Sequence, residues 1–394
     1  MRATLFDHQD DHINLLPLTY LKSIADLRVG ILTIREKWNH YLGEDPGILA
    51  LPYQQKKYPL PTPSEWYIRS TILPDAALIE QVRHLQPGTK LVAGEQVIAA
   101  RSDRDQLPEN FEFPELAVQP YEGEVRSINR SWEIFQKNAD EIKADYEIVT
   151  EGRTHQGVND PHTAVYGTSI FVEEGASIKA AILNAENGPI YIGKNAVVGE
   201  GAIIRGPFAM CEKSQVSLGA KIKGNVTLGP YCKLGGEASQ SVLQAYSNKS
   251  HDGYLGSSVI GEWCNIGADT NNSNLRNDYR NVKMWDYHTS SFIDSGLQFC
   301  GLIMGDHSKS AINTMFNTGT TIGISCNVFG AGFPRNIMPS FSWGGHGRTL
   351  TYSLDKAFKT MELVLQRRQK SLTEADKEMM TYIFDQTAQT RSGS

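Results

Sequence analysis

The sequence predicts an α/β N-terminal domain, a left-handed parallel β-helix of hexapeptide repeats, and C-terminal helices. Three observations predict this fold class: an apolar residue recurs at every sixth position, a mostly small residue follows four positions later, and both chain ends lack the period. A six-residue period is typical of β-helices. The apolar positions are Ile192, Val198, Ile204, Met210, Val216, Ile222, Leu228 and Leu234.

The spacing of these residues predicts three-sided coils. In each hexad the apolar residue would point to a narrow axis, and the small residue four positions later would let the chain turn a corner; Phe208 is the bulky exception. Glycine directly follows half of the apolar positions, as corners with positive φ require. Stacked coils then share a core that no single coil has. An accidental run in a β-sandwich is disfavoured because the phase holds over seven consecutive steps.

Three domains are predicted along the chain, covering residues 1–155, 156–345 and 346–394. The first shows strand and helix patterns without the hexad period, including a hairpin at 90–100 that turns at Gly94. The polar stretch 151–162 is the best linker. In the third domain, Thr373 and Asp376 have the spacing of a capping box, and the helices are expected to cover the open end of the coils or to pack on a neighbouring subunit. Helical spacing before the linker is found at 25–42, 76–85 and 132–146.

The hexad phase is lost twice, after Leu234 and again from Asn271 to about Ser291. Insertions in solenoids become protruding loops that often carry function. We therefore expect two such loops. A weaker register is expected to return through Phe292 and to continue to Val328.

Composition restricts the classes of function. The net charge of −6 gives no electrostatic reason to expect nucleic acid or an anionic membrane as partner. The N-terminal residues lack a secretory pattern and no stretch is long and apolar enough to span a bilayer, so a cytoplasmic protein without membrane insertion is expected. Five cysteines, an odd number, argue against a disulfide framework. No metal site is predicted.

One constellation of polar residues resembles a known family. Lys249 precedes His251, the triplet Tyr254-Leu255-Gly256 follows, and Asn265 opens the next coil, with Asn274 after it. This spacing resembles the acetyltransferase half of the bifunctional N-acetylglucosamine-1-phosphate uridyltransferase and glucosamine-1-phosphate N-acetyltransferase family, in a divergent branch. The resemblance implies a hexapeptide-repeat acyltransferase and a homotrimer.

The resemblance also implies a role for each residue. His251 would be the catalytic base and Asn274 would orient the sugar amine or the histidine, while Lys249, Tyr254 and Asn265 would bind the substrate. An amino sugar is mostly protonated near neutral pH, and histidine titrates in the range needed to remove that proton. The implied reaction is direct acetyl transfer from acetyl-CoA to an amino-sugar phosphate or a nucleotide-linked amino sugar.

The chain departs from the family pattern where a lysine pair grips the sugar phosphate, because Ser239 and Gln240 occupy that region. Either the substrate differs, or Lys221, Lys223 or Arg205 holds the phosphate. A second polar cluster at 306–309 has two interpretations, a lining of the acetyl-CoA groove or a surface turn.

The N-terminal domain resembles a reduced sugar nucleotidyltransferase through residues 15–19, Leu-Leu-Pro-Leu-Thr. Where active members carry a glycine-rich phosphate loop, this chain has Asp7, Asp10 and Asp11, which would repel a polyphosphate unless Mg²⁺ intervened. Lys22 or Arg28 is a candidate for the missing family lysine. Two interpretations remain open: uridylyl transfer with Mg²⁺ and a nucleoside triphosphate, or a relic that binds sugar or nucleotide.

Two rival functions exist for the coils. A γ-type carbonic anhydrase needs zinc-binding histidines, two of them five residues apart, and no such pair occurs in the coils. The second rival is a catalytically inactive β-helix trimer that binds nucleotide sugar or acyl-CoA as a structural or regulatory protein. Binding and turnover of acetyl-CoA would distinguish it from the enzyme.

Overall fold

The computed structural model describes residues 1–102, 111–347 and 349–392. The chain divides into two compact units. The N-terminal unit comprises residues 1–15, 21–27 and 32–130. The solenoid unit comprises 131–394 together with two short segments, 16–20 and 28–31. The assignment of helix 133–150 to the solenoid unit therefore differs from the predicted boundary at 155, which stays a prediction.

The N-terminal unit is built on a mixed six-stranded sheet with the strand order β2-β1-β3-β5-β4-β6. The predicted hairpin is present as β4 and β5, with Gly94 at φ +60° in its turn. The strands are β1 (Ala3–Phe6), β2 (Gly47–Leu49), β3 (Trp66–Arg69), β4 (Thr89–Ala93), β5 (Gln96–Arg101) and β6 (Ala117–Pro120), and the helices are α1 (Gln9–Asn14), α2 (Ile34–Leu42) and α3 (Ala76–His84). Short 3₁₀ turns lie at Ile24–Asp26 and Pro52–Gln54.

The helix predicted from residue 25 begins only at Ile34. Ser23 accepts a hydrogen bond from the Ala25 amide and starts a single 3₁₀ turn. Gly30 then takes a left-handed φ of +83°, which ends any helical run. A capping box between Thr33 and Glu36 starts α2 afresh. Of the helix predicted for residues 25–42, only the part from Ile34 to Leu42 is therefore an α-helix.

The solenoid unit contains a three-sided parallel β-solenoid of about ten turns. The fold class predicted from the sequence, with an α/β domain before the coils and helices after them, is confirmed. The first side consists of Ile170–Val172, Ile190–Ile192, Phe208–Met210, Val226–Leu228, the later halves of Glu237–Leu243 and Tyr254–Ile260, Leu302–Met304, Thr320–Ile322 and Ile337–Met338.

The other two sides complete each coil. The second side consists of Ser177–Ile178, Val197–Val198, Gln215–Val216, Lys233–Leu234, Asn248–Lys249, Asn265–Ile266, Lys309–Ser310, Asn327–Val328 and Ser342–Trp343, with Leu350–Thr351 antiparallel at its end. The third side consists of Ala164–Tyr166, Ile182–Asn184, Ile203–Arg205, Lys221–Ile222, the first halves of Glu237–Leu243 and Tyr254–Ile260, Asn271–Asn272 and Met315–Phe316.

The solenoid axis is filled by the residues that the hexad period predicts. All eight of them are at most 1% exposed and belong to one continuous apolar cluster. Cys232, Cys264 and Cys326 lie in the same cluster, and all five cysteines are buried and free. Burial raises the pKa of the Cys264 thiol to about 12, which favours packing over reactivity for this side chain.

The first loss of the hexad phase is not an insertion, so the predicted loop there is wrong. Gln215 pairs with Lys233, eighteen residues later, as three hexads require. Lys233 then pairs with Asn248, only fifteen residues later, and Asn248 pairs with Asn265 after seventeen. Coils of unequal length stack in register because the corners absorb the difference. The chain therefore stays in the solenoid from 235 to 255.

The second loss of phase is an insertion, as predicted. The chain leaves the coil after Asn274 and returns at Cys300, whose amide donates to the Asn274 carbonyl at 2.9 Å. Between them Lys283–Asp286 and Ser291–Asp294 form an antiparallel hairpin. Phe292 belongs to this hairpin and is 38% exposed, so its expected place in the coil register is wrong.

The first side of the solenoid is covered by helix α4 (Glu133–Thr150) and by segment 28–31. Asn138 of α4 is fully buried; its Oδ1 accepts from the Gly30 amide at 2.8 Å and from Thr227 Oγ1 at 3.0 Å. Gln244 of the solenoid holds the same segment through both backbone groups of Arg28. The part of this side that α4 contacts is therefore closed to solvent.

The C-terminal helices are α5 (Leu354–Gln366), α6 (Glu374–Gln386) and α7 (Ala388–Ser392). The predicted capping box of Thr373 and Asp376 is present at the start of α6. Phe384 of α6 packs edge-on against Phe341 of the last coil, with ring centroids 5.0 Å apart. The helices thus contact the end of the solenoid. Within the described residues no helix is both long and apolar enough to cross a bilayer.

Candidate active site

Tyr254 and Asn274 meet on the third side of the solenoid. Asn274 Nδ2 donates to the Tyr254 hydroxyl oxygen at 3.2 Å and to Ser257 Oγ at 3.1 Å. Ser257 in turn donates to Gln240 Oε1 at 3.3 Å. These hydrogen bonds fix the polar atoms of Tyr254 and Asn274. Both side chains are half-buried, so part of each remains exposed to solvent. Two residues twenty positions apart in sequence are thus held as one polar pair.

Ser239 and Gly256 fix the tyrosine ring. Ser239 Oγ lies 3.1 Å from the Tyr254 hydroxyl oxygen. A Cβ atom added to Gly256 would overlap the Tyr254 ring and its hydroxyl group, so only glycine leaves room for this rotamer. The serine that replaces a family lysine therefore contacts the predicted substrate-binding tyrosine.

His251 lies at the corner between the second and third sides. It follows strand Asn248–Lys249 and precedes strand Tyr254–Ile260. Its side chain is exposed, and its imidazole makes no hydrogen bond within the described part of the chain. The turn itself is anchored, because Ser217 Oγ donates to the Ser250 carbonyl at 2.9 Å. An exposed imidazole on a fixed backbone is available to a substrate.

Asn265 lies on the second side, across the corner from Tyr254. It pairs in register with Asn248 below and Lys309 above, and it is exposed. No direct contact links it to His251 or to Tyr254. The structure therefore brings Tyr254 and Asn274 together and places Asn265 on the adjacent side of the same corner. The roles given to these residues by the sequence stay predictions.

Lys249 is inside the solenoid and does not face solvent. It follows Leu234 in the axial row of the second side and is 1% exposed. Its Nζ donates to the carbonyl oxygens of His251 at 2.9 Å, Asp252 at 3.1 Å and Gly235 at 3.5 Å. Burial lowers the pKa of this amine to about 8, against the opposing effect of Asp252 and Asp269. Its predicted contact with substrate has no support in this position.

Basic residues lie on the third side below Tyr254. Lys221 pairs in register with Glu237, and Glu237 pairs with Tyr254, so Lys221 is two strands from the tyrosine. Lys223 forms an ion pair of 2.6 Å with Glu237. Among the three cations named from the sequence, Lys221 and the exposed Arg205 are thus in the same row of strands as the polar pair.

The second polar cluster is a buried corner. Asp306 Oδ1 accepts from the Glu262 amide at 2.7 Å, and His307 is 7% exposed with its ring parallel to that of Trp263. Trp263 stacks on Tyr246 with centroids 4.1 Å apart, and Tyr246 stacks on Tyr231. These four aromatic side chains form a ladder along one solenoid edge, and all four residues have φ between +55° and +61°. The cluster is part of this ladder.

Comparison with known proteins relates the chain to sugar nucleotidyl transferases and to GlmU proteins. A family model for sugar nucleotidyl transferases matches residues 3–154. The bifunctional protein GlmU of Synechococcus elongatus is 22% identical over 256 residues, which cover 62% of this chain and 47% of that protein. These matches fit a divergent branch of the GlmU-like family.

Other GlmU-like relatives match over shorter stretches. The bifunctional protein GlmU of Methanocaldococcus jannaschii is 34% identical over 90 residues, 23% of this chain and 21% of its own length. The bifunctional sugar-1-phosphate nucleotidylyltransferase/acetyltransferase of Sulfurisphaera tokodaii is 34% identical over 102 residues, 26% of this chain and 25% of its own. In each of these matches the chain spans less than half of the relative's length.

Solved structures that are similar to parts of this chain include two acyltransferases. The polySia-specific acetyltransferase NeuO has a TM-score of 0.26 and 14% identity, covering 48% of this chain and 86% of its own. The UDP-N-acetylglucosamine acyltransferase from Campylobacter jejuni has a TM-score of 0.29 and 12% identity, covering 57% and 95%. Because both TM-scores are low, the fold assignment rests on the strand registers.

Within the described residues, the N-terminal unit does not offer the suggested Mg²⁺ site. Asp7 is fully buried and accepts from Ser23 Oγ at 3.0 Å and from the Ile24 amide at 3.1 Å; burial raises the pKa of its carboxyl group to about 7. Asp11 is buried in a two-bond ion pair with Arg69, at 2.6 and 2.9 Å. Both carboxylates are thus engaged by neighbouring groups, and among the described residues no group of three or more His, Cys, Asp or Glu side chains could hold a metal ion.

Three residues of the candidate site are not indicated by the sequence. Ser239 and Gln240 stand out there only as the absence of a lysine pair, and no pattern singles out Ser257. The coil lengths contain a signal for the position of Ser239. This residue pairs with Gly256 on the neighbouring strand of the third side, seventeen residues later. A coil of seventeen residues there places Ser239 opposite Gly256, two positions after Tyr254.

Proposed function

We propose that the protein is an acetyl-CoA-dependent N-acetyltransferase acting on an amino-sugar phosphate or a nucleotide-linked amino sugar. The observation that carries the proposal is the Tyr254–Asn274 pair, held at 3.2 Å on the solenoid surface beside the turn of an exposed histidine. The names of its relatives, which include an acetyltransferase function, support the same reaction class.

The reaction needs one base and no covalent enzyme intermediate. His251 takes a proton from the sugar ammonium group, and the free amine attacks the carbonyl carbon of the acetyl thioester. The C–S bond then breaks and an amide bond forms as the attacking nitrogen loses its second proton to solvent, while the imidazolium returns the first proton to the leaving thiolate. Such a shuttle typically contributes about a hundredfold to ten-thousandfold in rate. Tyr254 and Asn274 orient the sugar by hydrogen bonds.

The phosphate of the sugar is assigned to the basic row below Tyr254. Strands in a sheet are about 4.8 Å apart, so Lys221, two strands from Tyr254, is about 10 Å away along the row. This distance is comparable to the length of an amino-sugar phosphate. Lys221 is preferred to Lys223, because Glu237 already neutralises Lys223 at 2.6 Å. Lys221→Ala should therefore raise KM for the sugar phosphate and leave KM for acetyl-CoA unchanged.

The first test is the release of free thiol from acetyl-CoA in the presence of glucosamine-1-phosphate. We expect release by the wild type that depends on the sugar, and a loss of at least about a hundredfold in His251→Ala. His162→Ala, which changes an exposed histidine of the linker, is the matched control and should keep full activity. Sugar-dependent release that survives in His251→Ala would exclude this base.

A non-catalytic trimer that binds nucleotide sugar or acyl-CoA is the second candidate, favoured by Ser239 and Gln240 in place of the lysine pair. Binding of acetyl-CoA by calorimetry, with no thiol release from any amino sugar tested, would support it. Uridylyl transfer by the N-terminal unit is not favoured, because Asp7 and Asp11 are engaged in packing. We expect no pyrophosphate release from UTP and N-acetylglucosamine-1-phosphate with Mg²⁺.

A homotrimer is part of the proposal. Ile182 and Ile203 are neighbours in register on the third side and are 39% and 41% exposed, which leaves β-branched side chains without cover in one chain. Sedimentation equilibrium should give three times the mass of the chain, and Ile203→Lys should lower that mass. A monomeric wild type would contradict the proposed homotrimer.

A further inference from the structure

We infer that Lys249 is a positioning residue, which fixes the turn that carries His251 from inside the solenoid. This inference rests on the proposed function only in taking His251 as the catalytic base. It replaces the predicted contact between Lys249 and substrate, because the amine points to the axis and not to the surface.

The hydrogen bonds of Lys249 are arranged for this task. An ammonium group has three protons to donate, and three carbonyl oxygens, those of His251, Asp252 and Gly235, lie within 3.5 Å of Nζ. No other donor among the described residues reaches the His251 carbonyl oxygen. The Asp252 carbonyl has one further donor, the Asp269 amide at 3.1 Å. Lys249 is thus the donor that holds the His251 carbonyl oxygen, beside the bond from Ser217 to the preceding carbonyl.

Burying the Lys249 ammonium group at the solenoid axis costs solvation free energy, which its hydrogen bonds must offset. Its neighbours in the axial cluster are apolar, including Leu234 and Ile266, and a lysine is almost never fully buried unless it is paired. A leucine or isoleucine would fill the same space without removing an ammonium group from water. The turn from 250 to 253 belongs to no strand, so it lacks the regular ladder that holds the flat sides.

The turn also needs an internal anchor because its backbone differs from that of the regular corners. In the corners after Val198, Val216 and Ile266 the left-handed residue comes three positions after the axial residue, whereas after Lys249 it comes four positions later, at Gly253. Gly253 adopts φ +108°, and a Cβ there would overlap the Thr270 carbonyl oxygen. A non-standard corner has more alternative conformations than the regular αL corners, and the Lys249 bonds select one of them.

Lys249→Met tests the inference, because methionine has similar length and apolar bulk but no donor. We expect amide hydrogen exchange at residues 250–253 to become at least about tenfold faster, with exchange in the other coils unchanged. We also expect kcat for thiol release to fall at least about tenfold, with KM for acetyl-CoA changing less than about twofold, since misplacement of a reacting group affects kcat first. Leu234→Met, at the neighbouring axial position, is the matched control and should change neither quantity.

The hydrogen-exchange measurement tests this inference, and the thiol-release measurement of the wild type tests the proposed function, so that the failure of one can be told from the failure of the other. If the wild type releases no thiol, the proposed function fails, and the exchange comparison alone decides whether Lys249 holds the turn. If Lys249→Met folds and shows wild-type exchange at 250–253, the inference is overturned whatever the activity. If exchange rises while kcat is unchanged, Lys249 holds the turn but does not position a catalytic group, and the inference is overturned in that respect.

Discussion

At the scale of single residues, Lys249 makes the stability of the protein depend on pH in a definite direction. Its pKa is about 8 in the folded chain and 10.5 in an unfolded one. Between these values the unfolded chain binds a proton that the folded chain does not, so stability rises with pH across this window. The full effect is at most about 3 kcal/mol.

Urea unfolding of the wild type and of Lys249→Met between pH 7 and pH 10.5 measures this dependence. We expect the free energy of unfolding of the wild type to rise relative to the variant from about pH 8 upward. Taking the difference between the two proteins removes the contributions of groups that they share. A difference that stays constant with pH would show that the buried amine is not desolvated.

Gly256 provides a second prediction for a single residue. Because a Cβ at this position would overlap the Tyr254 ring, Gly256→Ala should displace the tyrosine hydroxyl from Ser239 and Asn274. We expect KM for the amino sugar to rise about as much as in Tyr254→Phe, while acetyl-CoA binding is retained. Wild-type KM in Gly256→Ala, measured in the thiol assay, would show that the tyrosine does not contact the sugar.

At the scale of elements, helix α4 and segment 28–31 are joined to the first side through Asn138. Replacing it by leucine leaves the buried Gly30 amide without its acceptor, and the Thr227 hydroxyl keeps only the Gly30 carbonyl oxygen at 3.1 Å. We expect Asn138→Leu to lower the free energy of unfolding by about 2 to 4 kcal/mol. Gln136→Leu, on the exposed face of the same helix, should lower it far less. Denaturant titration of both variants checks the difference.

The hexad period predicts the coils where the residues at the axis are apolar. It does not predict them where those residues are polar. Eight successive apolar residues make the period visible, and these side chains need no particular partner. At Lys249 and Ser310 the axis holds polar side chains, whose partners are Gly235, His251 and Asp252 carbonyls in one case and the Gly267 amide in the other. Such partners come from neighbouring coils or corners, so a linear period cannot show them.

The candidate site was predictable to a different degree. The spacing of His251, Tyr254, Asn265 and Asn274 followed a known family pattern, and the structure puts Tyr254 and Asn274 in contact. The inward direction of Lys249 was not predictable, because it depends on a coil shortened by three residues. One residue of register moves a side chain from the surface to the axis.

At the scale of the whole molecule, the solenoid depends on chain that precedes its first coil. Val242 and Val259 on the outward face of the first side are fully buried, and α4 packs against the strands that carry them. A fragment that begins at residue 156 lacks this cover. We expect it to bind a hydrophobic dye and to melt at a lower temperature than a fragment that begins at residue 131.

Thermal melts of the two fragments, with dye fluorescence, check this expectation. Both fragments lack segments 16–20 and 28–31, so they differ only in residues 131–155. Equal melting temperatures would show that α4 adds nothing to the stability of the solenoid. That outcome would favour the domain boundary at 155.

Because coils of unequal length stack in register, the height of the solenoid depends on the number of its coils and not on the number of residues in each coil. Deleting residues at a corner should leave every later strand at the same level, whereas inserting one whole coil should raise all later strands by about 4.8 Å. Residues such as Tyr254 and Asn274, which meet across adjacent levels, would then tolerate small deletions between them but not an added turn. The spacing of this site is therefore counted in turns of the solenoid and not in amino acids.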